Sequence, residues 1–121
     1  MARVLIVDDS PSQLLVLKRI VEGQGHETIT AEDGQQGVEM ARQNLPDLIL
    51  MDVVMPNLNG FQATRTISRD KTTSHIPVIL VTTKDQETDR VWGMRQGAKG
   101  YVTKPINEAQ LVKIIRDYLP G

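Results

Sequence analysis

The sequence predicts an α/β fold in which helices cover a parallel sheet, and two observations carry that prediction. Short apolar runs alternate five times with longer amphipathic segments, the pattern left by repeated strand–helix units. Polar residues able to do chemistry stand where those runs end: Asp8 and Asp9, then Asp52, Thr82 and Lys104. In an open α/β sheet the carboxyl ends of the strands form the ligand crevice.

Taken in order, the first strand spans about 3–8, around the apolar run Val4-Leu5-Ile6-Val7. Ser10 can cap the following helix and Pro11 suits its first turn. That helix covers 11–23, with Leu14, Leu17 and Val21 at helical intervals, and Gly23 and Gly25 punctuate its end. A second strand at 27–31 is more polar (Glu27-Thr28-Ile29-Thr30) and reads as an edge strand, followed by a helix at 34–44. The third strand, 47–52, contains Leu48-Ile49-Leu50-Met51, apolar on both faces as helix cover on both sides requires. Pro56 and Gly60 bring turn chemistry to the next loop and are expected to hold it away from the sheet. A helix at 59–69 leads to the fourth strand, 77–82, again wholly apolar in its Val78-Ile79-Leu80-Val81 run. The last units are a helix at 86–96 ended by Gly97, a strand at 99–103, and a helix at 107–118. Asn107 can cap that helix, Leu111, Ile114, Ile115 and Tyr118 mark its inner face, and Pro120-Gly121 close it.

At 121 residues a single domain, 1–121, is expected, without an output domain. The net charge of −1 and scattered basic residues argue against nucleic-acid binding. The absence of cysteine excludes disulfides and thiolate metal sites. The apolar run after Met1-Ala2-Arg3 is too short for a signal peptide or a membrane span, so a cytoplasmic protein without membrane insertion is expected.

The polar residues define a chemistry. Asp8 and Asp9 repel one another, a cost that a hard cation with oxygen ligands removes. A small carboxylate set completed by Asp52, with water filling the other positions, favours Mg²⁺. Taken singly, an Asp pair before a helix is often only a cap, and a strand-end Thr only a strand former. Together they suit phosphoryl transfer: Asp52 as carboxylate nucleophile, Lys104 as neutralising charge, Thr82 as hydroxyl donor.

Asp8-Asp9, Asp52 with Met55-Pro56, Thr82 and Lys104-Pro105 resemble, in order and spacing, the signature of the bacterial response-regulator receiver domain, across essentially the whole chain. The resemblance implies a flavodoxin-like doubly wound (βα)5 sandwich with strand order 2-1-3-4-5, an order the receiver CheY is known for. It implies a receiver of a two-component phosphorelay rather than an enzyme with an external substrate. Asp52 would take its phosphoryl group from a histidine kinase of the chemotaxis type. Asp9, Asp52 and the backbone carbonyl of Val54 would bind Mg²⁺ directly, Asp8 mainly through water. Lys104 would pair with the phosphorylated Asp52, Thr82 would move onto a phosphoryl oxygen, and Tyr101 would be the aromatic switch. The output face, formed by helix 4, strand 5 and helix 5, would include Arg90, Met94, Lys99 and Tyr101 and would meet an unknown downstream protein. The molecule would be a monomer or weak dimer.

The stretch from Val81 to Pro105 and the run Gly60-Phe61-Gln62-Ala63-Thr64-Arg65 are similar to the PilH-type stand-alone receivers of twitching motility by type IV pili. A flagellar chemotaxis receiver is the nearest competitor, and Val53 stands where its best-known members carry Trp. A phosphate sink, or an adaptor that works without phosphorylation, also fits the fold. A flavin-binding flavodoxin is disfavoured because Asp8-Asp9 would repel its phosphate; a haloacid-dehalogenase-type phosphatase would place its nucleophile on the first strand. Val54, Thr83 and Lys84 surround the expected water entry, which implies a moderately long-lived phosphoryl group. Trp92 is open between an exposed anchor and packing on the third helix.

Overall fold

Five strands and five helices alternate in the computed structural model, which describes residues 1–119. They are β1 (Arg3–Val7), α1 (Pro11–Gly23), β2 (Glu27–Ala31), α2 (Gly34–Asn44), β3 (Leu48–Met51), α3 (Gly60–Arg69), β4 (Val78–Thr82), α4 (Glu87–Arg95), β5 (Gly100–Thr103) and α5 (Glu108–Tyr118). All strands run parallel in the order β2-β1-β3-β4-β5. The fold is the flavodoxin-like one expected, and every element boundary falls within one residue of its expected place. Pro120 and Gly121, expected to close the last helix, lie outside the described residues.

The period-two alternation of strand side chains divides the core between the two sheet faces. Leu5, Val7, Ile49, Met51, Val78, Leu80 and Tyr101 face the layer that holds Val38 of α2 and Ile67 of α3. Val4, Ile6, Leu48, Leu50, Ile79, Val81 and Val102 face Leu17 and Val21 of α1 and Leu111 and Ile115 of α5. Central strands buried on both faces need the unbroken apolar runs of the sequence. The polar β2 does lie at an edge.

Caps fix the helix starts. Ser10 accepts from Gln13 N–H at 3.4 Å with Pro11 at the first helical position, and Asn107 accepts from Gln110 N–H at 3.0 Å. Asn59 and Gln62 form a reciprocal capping box on α3. Gly23 lies inside α1, and the left-handed turn after it belongs to Gly25 (φ 88°).

Two expectations need correction, and the open position of Trp92 is settled. The loop after β3 is not held away from the sheet. Gly60 N–H donates to the Val53 carbonyl at 2.9 Å, and a Cβ at Gly60 would collide with the Asp52 carbonyl oxygen. Tyr118 does not join the inner face of α5: it is exposed, and its hydroxyl donates to the Lys99 carbonyl at 3.1 Å. An aromatic at a core interval can turn outward when its polar end finds a partner at the surface. Trp92 is also exposed, at 48%; α4 buries Gly93, and no bulky residue, against the body.

Candidate functional site

The sheet ladder itself gathers the polar residues. Val7 pairs with Met51 and Thr82 with Thr103 in the last rungs. Backbone bonds continue one step beyond: Asp8 N–H donates to Ala31, Asp52 N–H to Val7 and Lys104 N–H to Thr82, at 3.1, 2.9 and 2.8 Å. Asp8, Asp52 and Lys104 are therefore levelled at one edge by main chain, before any side-chain contact forms.

Each inner acid then commits one oxygen to the backbone. Asp8 Oδ1 accepts from Ser10 N–H at 2.9 Å and Asp52 Oδ1 from Val53 N–H at 2.8 Å. The second oxygens face the ammonium: Lys104 Nζ lies 2.7 Å from Asp8 Oδ2 and 3.6 Å from Asp52 Oδ2. Asp8 and Asp52 are buried whereas Asp9 is exposed. Even so, one carboxylate oxygen from each of the three lies within 4.8 Å of the others. Burial pushes the Asp52 carboxyl above its ordinary range. Lys104 opposes that rise, Asp8 adds to it, the Val53 N–H opposes it and Asp9 adds again.

Thr82 is fully buried at the end of β4, and its Oγ1 accepts from Lys84 N–H at 3.3 Å. Tyr101 is buried too, its hydroxyl donating to the Lys84 carbonyl at 2.6 Å. Burial, and then the nearby Asp89, push its phenol up to about 12, against the opposing pull of Arg90. Thr83 and Lys84 are exposed beside this loop, as is Val54 at 56%. Arg90, Met94 and Lys99 are exposed on and after α4.

Two contacts were missed by sequence reading. The direct Lys104–Asp8 pair spans 96 positions of chain, and no local spacing announces it. Arg90 lies over the Tyr101 ring, its guanidinium carbon 5.7 Å from the ring centroid; the helical pattern shows only a solvated cation. A surface cavity of about 490 Å³ lined by Asp33, Gln35, Gln36, Glu39, Asn57 and Leu58 contains none of the clustered carboxylates. Those carboxylates lie at the strand edge instead.

Three hard carboxylates so close together, beside one ammonium, form a donor set suited to a divalent cation with oxygen ligands. Among the described residues, no helix is long and apolar enough to cross a membrane.

The profile of the response regulator receiver domain matches residues 4–116. The chain is 59% identical over 121 residues to protein PilH of Pseudomonas aeruginosa, covering 100% of each. It superposes with a TM-score of 0.89 on the receiver domain of a sensor histidine kinase from Pseudomonas aeruginosa that was crystallised with a magnesium ion in its active-site cleft. That pair is 30% identical, with 97% of this chain and 96% of the other covered. With the Vibrio cholerae chemotaxis protein CheY4 the TM-score is 0.91 at 31% identity, over 98% and 99% of the two chains.

Proposed function

The chain belongs to the response regulator receiver family, and on that premise we propose that Asp52 accepts a phosphoryl group from a histidine kinase. The observation that carries this reading is the meeting of Asp8, Asp9 and Asp52 within 4.8 Å beside the Lys104 ammonium. Asp52 supplies the attacking oxygen, and as its bond to phosphorus forms, the bond from phosphorus to the kinase's histidine breaks and the imidazole leaves. Asp52 Oδ1 is anchored by the Val53 N–H, so Oδ2, on the Lys104 side, is the atom left for bond formation. In-line phosphoryl transfer asks the protein mainly for position and charge neutralisation. Lys104 provides part of that charge by moving from Asp8 towards the new phosphoryl oxygens. Thr82 turns its hydroxyl onto one of them.

Asp9, Asp52 and the Val54 carbonyl would hold Mg²⁺, with Asp8 reaching it through water. When bound, the ion offsets the crowded carboxylates and the incoming phosphoryl charge. The magnesium in the related kinase receiver supports this assignment. Transfer then shifts the population of two conformations, with Tyr101 as the aromatic element that reports to the face of α4, β5 and α5. We place the protein in twitching-motility signalling by type IV pili, in the cytoplasm. The identity with protein PilH along the whole chain supports that branch.

Intact mass after incubation with a small-molecule phosphodonor, with and without Mg²⁺, tests the reading. The expected result is a Mg²⁺-dependent gain of one phosphoryl group that Asp52→Asn abolishes. No gain in wild type under either condition would overturn it.

A further inference from the structure

The Tyr101 ring is gripped at three places. Its hydroxyl donates to the Lys84 carbonyl at 2.6 Å. Its edge lies beside Gly93, where an added Cβ would stand 3.4 Å from Tyr101 Cδ2. Its face lies under Arg90, 5.7 Å from the guanidinium carbon. Arg90 and Gly93 are three apart on α4 and therefore share a helix face. Gly93 is the residue this helix buries, so Arg90 is the longest side chain of that turn available to hold the ring.

Beyond the ring the chain of contacts continues inward. The Lys84 residue that accepts from the Tyr101 hydroxyl uses its own N–H to hold Thr82 Oγ1 at 3.3 Å. The same loop is tied to α4 by Lys84 Nζ, 3.8 Å from Asp89 Oδ1. Asp89 in turn accepts from the Gln86 N–H at 3.3 Å at the start of the helix.

We infer that Arg90 is a positioning residue: by stacking on Tyr101 it keeps the hydroxyl on the Lys84 carbonyl, and so couples the outer face of α4 to the Thr82 hydroxyl at the strand edge. A cation over an aromatic ring is held by the ring's quadrupole, and a planar guanidinium holds better than an ammonium. A group that draws Arg90 away, such as a carboxylate of a docking protein, loosens the ring and the loop together. This deepens the reading of the pocket as a phosphoryl acceptor and rests on it for its signalling consequence. Its test does not.

The test is the side-chain rotamer of Tyr101, read from Hα–Hβ couplings in the full chain without phosphodonor. Arg90→Gln is expected to raise the minor rotamer population about two- to five-fold, the strength of an exposed cation–π contact. It should also broaden the Lys84 amide signal. Arg90→Lys should restore part of the wild-type coupling. Arg95→Gln, which removes the same charge from the same helix, should leave the coupling unchanged. Couplings in Arg90→Gln equal to wild type, or a change as large in Arg95→Gln, would overturn the inference. A wild type that takes no phosphoryl group would sink the reading of the pocket and leave the ring measurement standing. An unmoved ring would do the reverse.

Discussion

At Asp70, in the turn after α3, the N–H of Thr72 donates to Oδ1 at 2.9 Å and its hydroxyl at 2.7 Å, while Arg42 Nε donates to Oδ2 at 2.9 Å. These bonds favour the charged form, the Thr72 N–H most, and lower the carboxyl to about 2. A folded-state value below the unfolded one means stability present above about pH 4 and lost as pH falls through about 2. An NMR titration should put the Asp70 midpoint near 2. The stability advantage of wild type over Asp70→Asn should shrink across that window; an unshifted midpoint would refute the assignment. Asp52 is moved the opposite way because burial outweighs its single ammonium and N–H. Exposed Val54, two residues after Asp52, has an apolar side chain with no group to orient an attacking water, and Thr83 is exposed just after β4. Phosphorylated Asp52 should therefore decay slowly once donor is removed. Loss as fast as in the quickest receivers would show that these side chains do not gate water. The gathering of the carboxylates and Lys104 at one edge was legible because strand ends are legible. Their partners were not: which oxygen faces Lys104 depends on backbone N–H groups that no side-chain pattern encodes.

Among the elements, glycines separate local preference from tertiary demand. Gly60 begins α3 with its α-carbon against the Asp52 carbonyl, so Gly60→Ala forces backbone to move at the strand edge. The expected cost is about 1–3 kcal/mol, with slower phosphoryl uptake because the Asp52 backbone is displaced. Gly23 closes α1 with nothing within 4 Å of an added Cβ. Gly23→Ala should stabilise by about 0.5 kcal/mol, since it only restricts the unfolded chain. Urea unfolding of the two variants, compared with wild type, checks both signs; equal shifts would contradict the packing argument. Sequence reading saw both residues as punctuation. The difference lies in what approaches each glycine from elsewhere in the fold, and local spacing carries no record of that. The helices were legible from their caps and apolar intervals, whereas Tyr118 was misplaced because its hydroxyl bond to Lys99 outweighed its interval.

Across the whole molecule, topology was the most legible level: apolar runs without polar interruption require cover on two faces, and parallel order follows from the alternation. The carboxylate cluster adds a testable linkage, since a ligand that binds only the folded state stabilises it. At a free Mg²⁺ concentration one hundred times its Kd, the gain should be about 2.7 kcal/mol. The melting temperature should rise with Mg²⁺, fall back with a chelator, and respond less in Asp9→Asn; a melting temperature indifferent to Mg²⁺ would argue against the site. The 96-residue span between Asp8 and Lys104 also has a consequence during biosynthesis. A chain made from its N-terminus contains all three acids before Lys104 is translated. Until β5 docks on β4, the strand edge has three carboxylates and no ammonium, and nascent intermediates must tolerate that repulsion. If the pocket accepts a phosphoryl group as proposed, that competence arrives with the last strand, and a ribosome-stalled or C-terminally nicked chain should take none even where β1 and β3 have already paired.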